Sequence, residues 1–420
     1  MYFLKALFIG CNFLILYTYI LYPGIIFLLE KIFNQKKWKI DEHYYPFVSF
    51  IVSAYNEEDV IKRKLENTCH LKYPKDRLEI IFISDGSTDN TDNIISQYSR
   101  RRIELIRING RKGKSYALNS VIPQTRGEIC VLSDANSILR EDVLKKLVRH
   151  FVDPTIGCVS GRLKFKPIQG NPLSIIETQF WNYETWLKIK EGNITSLPGA
   201  NGGVYAIRKS LFKPLPADRV MVDDFLITLN IIAANYRAVS DPEVNAKENG
   251  CLRIKDSYSQ KIRIGAGNFH AIRFFYPLLN PFKGFIAFIL WSHKIIRWFI
   301  PFLMISIFVT NLFLFKESSL FQITLYAQCI LLLWAALGFI IPLGEKKKAN
   351  VIQINRRIWQ EIFYFPFYFL SLNIAGFVSF LRFATRTYPP AWENHRNSSK
   401  VSKKVSKDIS SYKKIANQSQ

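Results

Sequence analysis

The 420-residue chain has no closely spaced pair of cysteines: Cys11, Cys69, Cys130, Cys158, Cys251 and Cys329 are scattered along it. That excludes a Cys-x-x-Cys zinc site and a disulfide framework, and fits a reduced compartment. Acidic residues are scarce, with 33 Asp and Glu against 57 Lys and Arg, a formal charge of +24. A surplus of that size suits nucleic acid or an anionic membrane surface. No zinc-finger spacing, homeodomain pattern or RNA-binding aromatic signature is present, so nucleic acid is set aside. Charge is also missing from residues 6–29, a run long enough to cross a bilayer. A secretory leader is the competing reading. The run is long for that role, only Lys5 precedes it, and no small-x-small cleavage site follows.

What is present is 49% hydrophobic and 15% aromatic, and the apolar residues crowd towards the two ends. This predicts an N-terminal transmembrane helix over 1–31, a soluble domain over 44–265, an interfacial amphipathic region over 270–297, transmembrane helices over 298–382 and a basic tail over 383–420. The flank Lys31, Lys36, Lys37 and Lys39 puts the domain on the cytoplasmic side, which implies a multi-pass protein of the plasma membrane. Many of the remaining basic residues border apolar runs, so membrane lipids are expected partners.

Within the domain, residues 47–54 form an unbroken β-prone run, as in a strand buried on both faces. Further strands are expected over 78–84, 102–107 and 128–133, with helix-length segments between them. Asn56 is placed to cap one helix, and Thr88 or Asp89 another. The alternation predicts a doubly wound α/β sheet, with ligands at the carboxyl ends of its strands. Those ends carry Tyr55–Glu57, Asp85, the Arg111-Lys-Gly-Lys114 loop and Asp134. Each alone is ordinary turn or capping chemistry. Four consecutive strand ends with polar, ligand-capable groups point instead to a binding site. Asp85 can accept hydrogen bonds from a base or ribose. The Gly113 loop can bring N–H groups and Lys114 to a diphosphate. Asp134 and the Asn136 carbonyl are hard oxygen ligands for a divalent cation.

Beyond residue 150 the pattern changes. A helix is expected over 173–189, carrying Trp181, Tyr183 and Trp186. Then comes Pro198-Gly-Ala-Asn-Gly-Gly203, which lacks a phosphate-loop lysine and lets a ligand approach the backbone closely. Asp223 and Asp224 open the next helix, where acids compensate the helix dipole. The functional alternative makes Asp224 a general base towards an acceptor hydroxyl. Gln260 and Arg263 share one helix face, either as glycan and phosphate ligands or as an ordinary basic helix beside the membrane.

Taken together, Ser53-Ala-Tyr-Asn-Glu-Glu58, Asp85-Gly-Ser-Thr-Asp89, Gly113-Lys-Ser-Tyr-Ala-Leu-Asn119, Ser133-Asp-Ala-Asn136, Gly199-Ala-Asn-Gly-Gly203, Val222-Asp-Asp224 and Gln260-x-x-Arg263 resemble the family 2 glycosyltransferases. The matching branch is membrane-embedded and inverting, and includes chitin-oligosaccharide, hyaluronan, poly-N-acetylglucosamine and cellulose synthases. The resemblance implies a GT-A fold, a mixed Rossmann-like sheet with helices on both faces, flanked by transmembrane helices. It implies a nucleotide diphosphate sugar as donor, most often a UDP-sugar. Carried over, Ser53, Tyr55, Glu57 and Asp85 surround the nucleoside, and Lys114 lies near the diphosphate. Asp134, with Asn136, holds Mg²⁺ or Mn²⁺. Asp224 beside Asp223 is the base, and Gln260 and Arg263 line the acceptor and diphosphate side. Two positions depart from the family's pattern. Asn136 replaces its second metal-motif Asp, and Ile264 replaces the Trp after Gln-x-x-Arg. The first lowers expected metal affinity; the second puts processive synthesis in question.

At the membrane end, 282–298 mixes apolar residues with Lys283, His293, Lys294 and Arg297, and reads as interfacial. Residues 298–315, 320–343 and 359–381 read as spans. Lys346, Lys347, Lys348, Arg356 and Arg357 put the loop between the last two in the cytosol. Simple alternation then sends the C-terminus outside, whereas the basic tail from Arg382 favours the inside. A last span broken at Pro366 and Asn373, or a crossing by the segment from Phe282, would reconcile the two. The expectation is a metal-dependent transferase that extends a polysaccharide or cell-surface glycan, working with other synthesis or export subunits. The alternatives are single-sugar transfer to a polyprenyl-linked or membrane lipid, and a non-catalytic partner of a synthase.

Overall fold

The computed structural model describes residues 1–33, 38–168, 171–249, 254–340 and 353–387. Lys36, Lys37, Cys251, Lys346–Lys348 and the tail from 388 onwards lie outside the described residues.

Among the described residues the core is one sheet of eight strands: β1 (Val48–Ala54), β2 (Leu78–Ser84), β3 (Ile103–Arg107), β4 (Ile129–Asp134), β5 (Ile138–Leu139), β6 (Ile156–Lys166), β7 (Val204–Arg208) and β8 (Arg237–Asn249). Their order is β3-β2-β1-β4-β7-β6-β8-β5. The four expected strands are the parallel half: β1 pairs with β2 and β4, and β2 with β3. β7 runs antiparallel to both β4 and β6, so the sheet is mixed.

The unbroken apolar run of β1 follows from its central place. Val48, Phe50 and Val52 pack into the core on one face, and Ile51 into the core on the other. Each such side chain removed from water contributes roughly 1.5–3 kcal/mol. The register sets Ser53 opposite Asp134 and Ala54 opposite Ser84, so β1, β2 and β4 end along one edge. The expected Asn56 cap does not form: Glu57 is the N-cap of the helix Glu58–Cys69. Asn56 is instead left-handed (φ 50°), and its Oδ1 accepts from the Thr88 N–H at 2.8 Å. That bond ties the loop after β1 to the loop after β2.

Four helices are long and apolar enough to cross a membrane among the described residues: Tyr2–Ile32, Phe285–Leu314, Ser319–Gly338 and Tyr364–Ala384. The second begins thirteen residues before the expected Trp298 and passes through a π-helical turn at Leu290–Ile295. Ahead of it, 270–284 holds the end of the helix Ile254–Phe275 and two short 3₁₀ turns. Pro366 and Asn373 lie inside one continuous helix, Gln353–Ala384.

The helix Pro172–Ile194 joins the sheet domain to these apolar helices. Leu187 packs with Tyr22, Ile26 and Ile289, and Leu173 and Ile176 pack with Tyr364 and Tyr368. Further along the chain, the Ser379 hydroxyl donates to the Ile262 carbonyl at 3.1 Å, docking the last helix on Ile254–Phe275.

Candidate active site

The site lies along the edge where β1, β2 and β4 end. Gly113, at φ 94°, turns the chain into the helix Lys114–Val121, a conformation that suits a residue without Cβ. Lys114 is therefore the first helical residue. Its Nζ lies 2.8 Å from Asp134 Oδ1 and 3.1 Å from Asp223 Oδ2. Burial alone would lower the Lys114 pKa, but the charges of Asp134 and Asp223 outweigh it and the pKa is raised.

Asp223 and Asp224 open the helix Asp223–Ala233. Between Asp224 and Asp134 passes the glycine loop. A Cβ placed on Gly202 would sit 3.2 Å from Asp134 Oδ2 and 3.4 Å from Asp224 Oδ2. Glycine here leaves two carboxylates facing one small space. The loop is held by the Ala200 N–H donating to Thr228 Oγ1 (3.0 Å), while that hydroxyl donates to the Asp224 carbonyl (2.6 Å). Asn201 is fixed by its N–H on Ser160 Oγ and its Nδ2 on the Gly161 carbonyl, both at 2.9 Å. Burial, then the neighbouring Asp223, raise the Asp224 pKa to about 6, close to working pH for a general base.

Asp85 follows the last residue of β2. Its Oδ1 accepts from the Lys112 N–H at 2.9 Å and its Oδ2 from the Gly113 N–H at 2.8 Å, so it clamps the loop that presents Lys114. Burial raises its pKa against those two hydrogen bonds. Beside it the Arg111 guanidinium stacks 3.9 Å from the Tyr55 ring centre. Glu57 is buried, and its N–H donates to Thr91 Oγ1 at 2.8 Å. Ser53 is half-buried directly across from Asp134.

Gln260 and Arg263 are half-buried on the helix Ile254–Phe275. That helix meets the start of the helix Asp223–Ala233 at Gly267, where a Cβ would lie 3.0 Å from Val222 Cγ2. The two residues stand seven and four positions before this contact, about 10 and 6 Å along the axis.

Asp134 and Asn136 supply hard oxygens, and among the described residues no group of three or more His, Cys, Asp or Glu gathers as a closed metal cage. One carboxylate plus a carbonyl suits Mg²⁺ or Mn²⁺, which complete their shell with water and substrate phosphates. In this structure Asp134 Oδ1 pairs with the Lys114 ammonium.

Two lysines outside the sequence expectation support this site. Lys64 is fully buried behind β4 and donates to Ser133 Oγ and the Ser137 carbonyl, both at 2.7 Å. Burial lowers its pKa to about 7. Its signal was a lysine on the same helix stripe as the apolar Ile61 and Leu65. Lys188 donates to Asn201 Oδ1 at 3.2 Å, reaching the glycine loop from the helix Pro172–Ile194.

The edge of this mixed sheet thus gathers one lysine, Lys114, with the carboxylates of Asp134 and Asp223, and Asp224 faces Asp134 across Gly202. The family model for glycosyl transferase family 2 matches residues 49–213. It is 31% identical to a probable glycosyltransferase, YdaM, of Bacillus subtilis, over 57% of this chain and 59% of the relative. It is 38% identical to the beta-monoglucosyldiacylglycerol synthase of Synechocystis, over 28% of this chain and 26% of the relative. It is 24% identical to the poly-beta-1,6-N-acetyl-D-glucosamine synthase of Staphylococcus epidermidis, over 80% and 85%. The chain thus spans less than two thirds of the first two relatives. The mannosyltransferase of Pyrobaculum calidifontis, solved with GDP-Man and Mn²⁺, shares the fold with a TM-score of 0.66 at 22% identity, over 91% of this chain and 99% of that one.

Proposed function

We propose that the protein is a membrane-bound inverting glycosyltransferase that moves a sugar from a UDP-sugar to a growing polysaccharide or cell-surface glycan, with its sheet domain on the cytoplasmic side of the plasma membrane. The observation that carries this reading is the pairing of Asp134 and Asp224 across Gly202, with Lys114 bridging Asp134 and Asp223. Three carboxylates against one ammonium leave a surplus of negative charge, which suits a donor delivered with a divalent cation. Asp134 and Asn136 would hold that cation, which neutralises charge on the departing diphosphate.

The remaining work falls to side chains of this protein. Lys114 lies where it can neutralise a phosphate oxygen. Asp224, with its raised pKa, accepts the proton of the acceptor hydroxyl as that oxygen bonds to the anomeric carbon. The bond from that carbon to the diphosphate oxygen breaks on the opposite face, so configuration inverts. Tyr55, stacked with Arg111, forms the nucleoside side with Ser53, Glu57 and the Asp85-clamped loop. Gln260 and Arg263 serve the acceptor and diphosphate side. The four long apolar helices and the similarity to a polysaccharide synthase over most of both chains support the membrane glycan.

A second reading, single-sugar transfer to a lipid, is favoured by Ile264, where the family resemblance implies Trp, and by the similarity to a glycolipid synthase. Nucleotide release by the purified membrane protein, across a panel of UDP-sugars with Mn²⁺, Mg²⁺ or EDTA, tests both. Metal-dependent release with a ladder of products supports the first reading, and a single lipid-linked sugar supports the second. No release with any donor refutes the UDP-sugar assignment.

A further inference from the structure

The helix Pro172–Ile194 presents Glu184, Lys188 and Glu191 on one face, spaced by four and three residues. Facing it is the π-helical turn Leu290–Ile295. His293 Nε2 lies 2.8 Å from Glu184 Oε1, and His293 Nδ1 lies 2.7 Å from Glu191 Oε1. Lys294 Nζ reaches Glu184 Oε1 at 3.1 Å, and Arg297 Nη1 reaches Glu184 Oε2 at 2.7 Å. The Tyr22 hydroxyl donates to Glu191 Oε1 at 2.6 Å, while Glu191 Oε2 has no partner. Both oxygens of Glu184 are therefore consumed by the residues of the apolar helix.

Lys188 stands apart in this cluster. Among the described residues no carboxylate lies within ion-pair distance of it. Its polar contacts are Asn201 Oδ1 at 3.2 Å and the Ala200 carbonyl at 3.5 Å, both on the glycine loop. An ammonium carries three donors, and these two long contacts leave capacity for another partner. Three basic side chains (Lys188, Lys294, Arg297) stand around the two carboxylates Glu184 and Glu191, and the Glu184 oxygens are taken by His293, Lys294 and Arg297. Burial, and then the charge of Lys294, pull the Lys188 pKa down to about 8 against the opposing charges of Glu184, Asp224 and Glu191.

We propose that Lys188, with Lys294, binds the phosphate of a lipid that enters between the apolar helices and the glycine loop. Calling this the acceptor side rests on the proposed function, because there the donor diphosphate belongs to Lys114 and Asp134 across Gly202. The lipid source follows from position. The cluster is built by Tyr22 and the turn 290–295, which sit in two of the four long apolar helices. Phosphate is the matching headgroup chemistry, since it can take an ammonium on each of two oxygens.

The test uses the full-length protein in dodecyl maltoside, with no donor present. Dioctanoyl phosphatidic acid, dioctanoylglycerol and inorganic phosphate are titrated separately and followed by isothermal calorimetry. The expected result is phosphatidic acid binding at least tenfold tighter than the other two. Lys188→Gln and Lys294→Gln should each remove most of that preference, and Lys188→Arg should keep it. Undiminished preference in both Gln variants would overturn the proposal, as would equal binding of dioctanoylglycerol. Equal binding of inorganic phosphate would overturn the lipid assignment. Because the readout needs no turnover, loss of this site and failure of the glycosyltransferase reading are told apart.

Discussion

Replacing Asp224 with Asn should abolish turnover while making the fold more stable at neutral pH. Burial and the adjacent Asp223 raise the Asp224 carboxyl from 3.8 to about 6. A shift of about two units corresponds to at most about 3 kcal/mol. Partial solvent contact reduces this to about 1–2 kcal/mol. For an acid whose folded pKa is raised, the folded state is penalised only when the group ionises. The penalty is nil below the unfolded value near 4, grows through the interval to 6, and is complete above it. Asn mimics the protonated carboxyl, so Asp224→Asn should raise the melting temperature at about pH 7.5 and leave it unchanged near pH 3.5. With the base gone, kcat should fall by about 10²–10⁴, whereas donor KM stays within a few-fold. In the wild type, kcat/KM should fall about tenfold per unit below pH 6. The assays are nucleotide release and thermal unfolding in detergent at matched pH values. Turnover within tenfold of wild type, or a variant less stable at pH 7.5 than at 3.5 relative to wild type, would refute the reasoning.

Lys114→Met should weaken binding of free UDP by about ten- to a hundredfold, because the cation shared by Asp134 and Asp223 is lost; calorimetry reads this directly. Gly202→Ala places a methyl 3.2 and 3.4 Å from the Asp134 and Asp224 carboxylates. It should cost about tenfold in kcat with little change in melting temperature, since the reacting groups shift by tenths of an ångström. EDTA should stop nucleotide release, and Asn136→Asp should lower the Mn²⁺ concentration giving half-maximal rate by several-fold, measured by metal titration of activity.

The parallel half of the sheet was legible because burial on both faces demands continuous apolar runs, as in Phe47–Ala54 and Leu78–Ser84. The long strand β8 was not. Its sequence carries Asp241, Pro242, Glu243 and Lys247, and its pairing with β6 comes from tertiary contact. Asp134, Lys114, Asp223 and Asp224 were all singled out, and the fold brings the four together. Asp85 was singled out as an acceptor for a base or ribose; that its two oxygens also accept from the Lys112 and Gly113 N–H groups was not legible. A short-range clamp of that kind leaves no mark in spacing.

His293, Lys294 and Arg297 made the segment from Phe282 look interfacial. They pair with Glu184 and Glu191, a hundred residues earlier, within a helix that begins at Phe285 and is long and apolar enough to cross a membrane. Lys64 and Lys188 escaped notice for the same reason: a lysine in a helix reads as solvated until its partner is known.

The most direct test of the central claim is the anomeric configuration of the first product formed from an α-linked UDP-sugar, read by proton NMR. If Asp224 activates the acceptor hydroxyl opposite the departing diphosphate, the new linkage is β. An α-linked product would contradict the account.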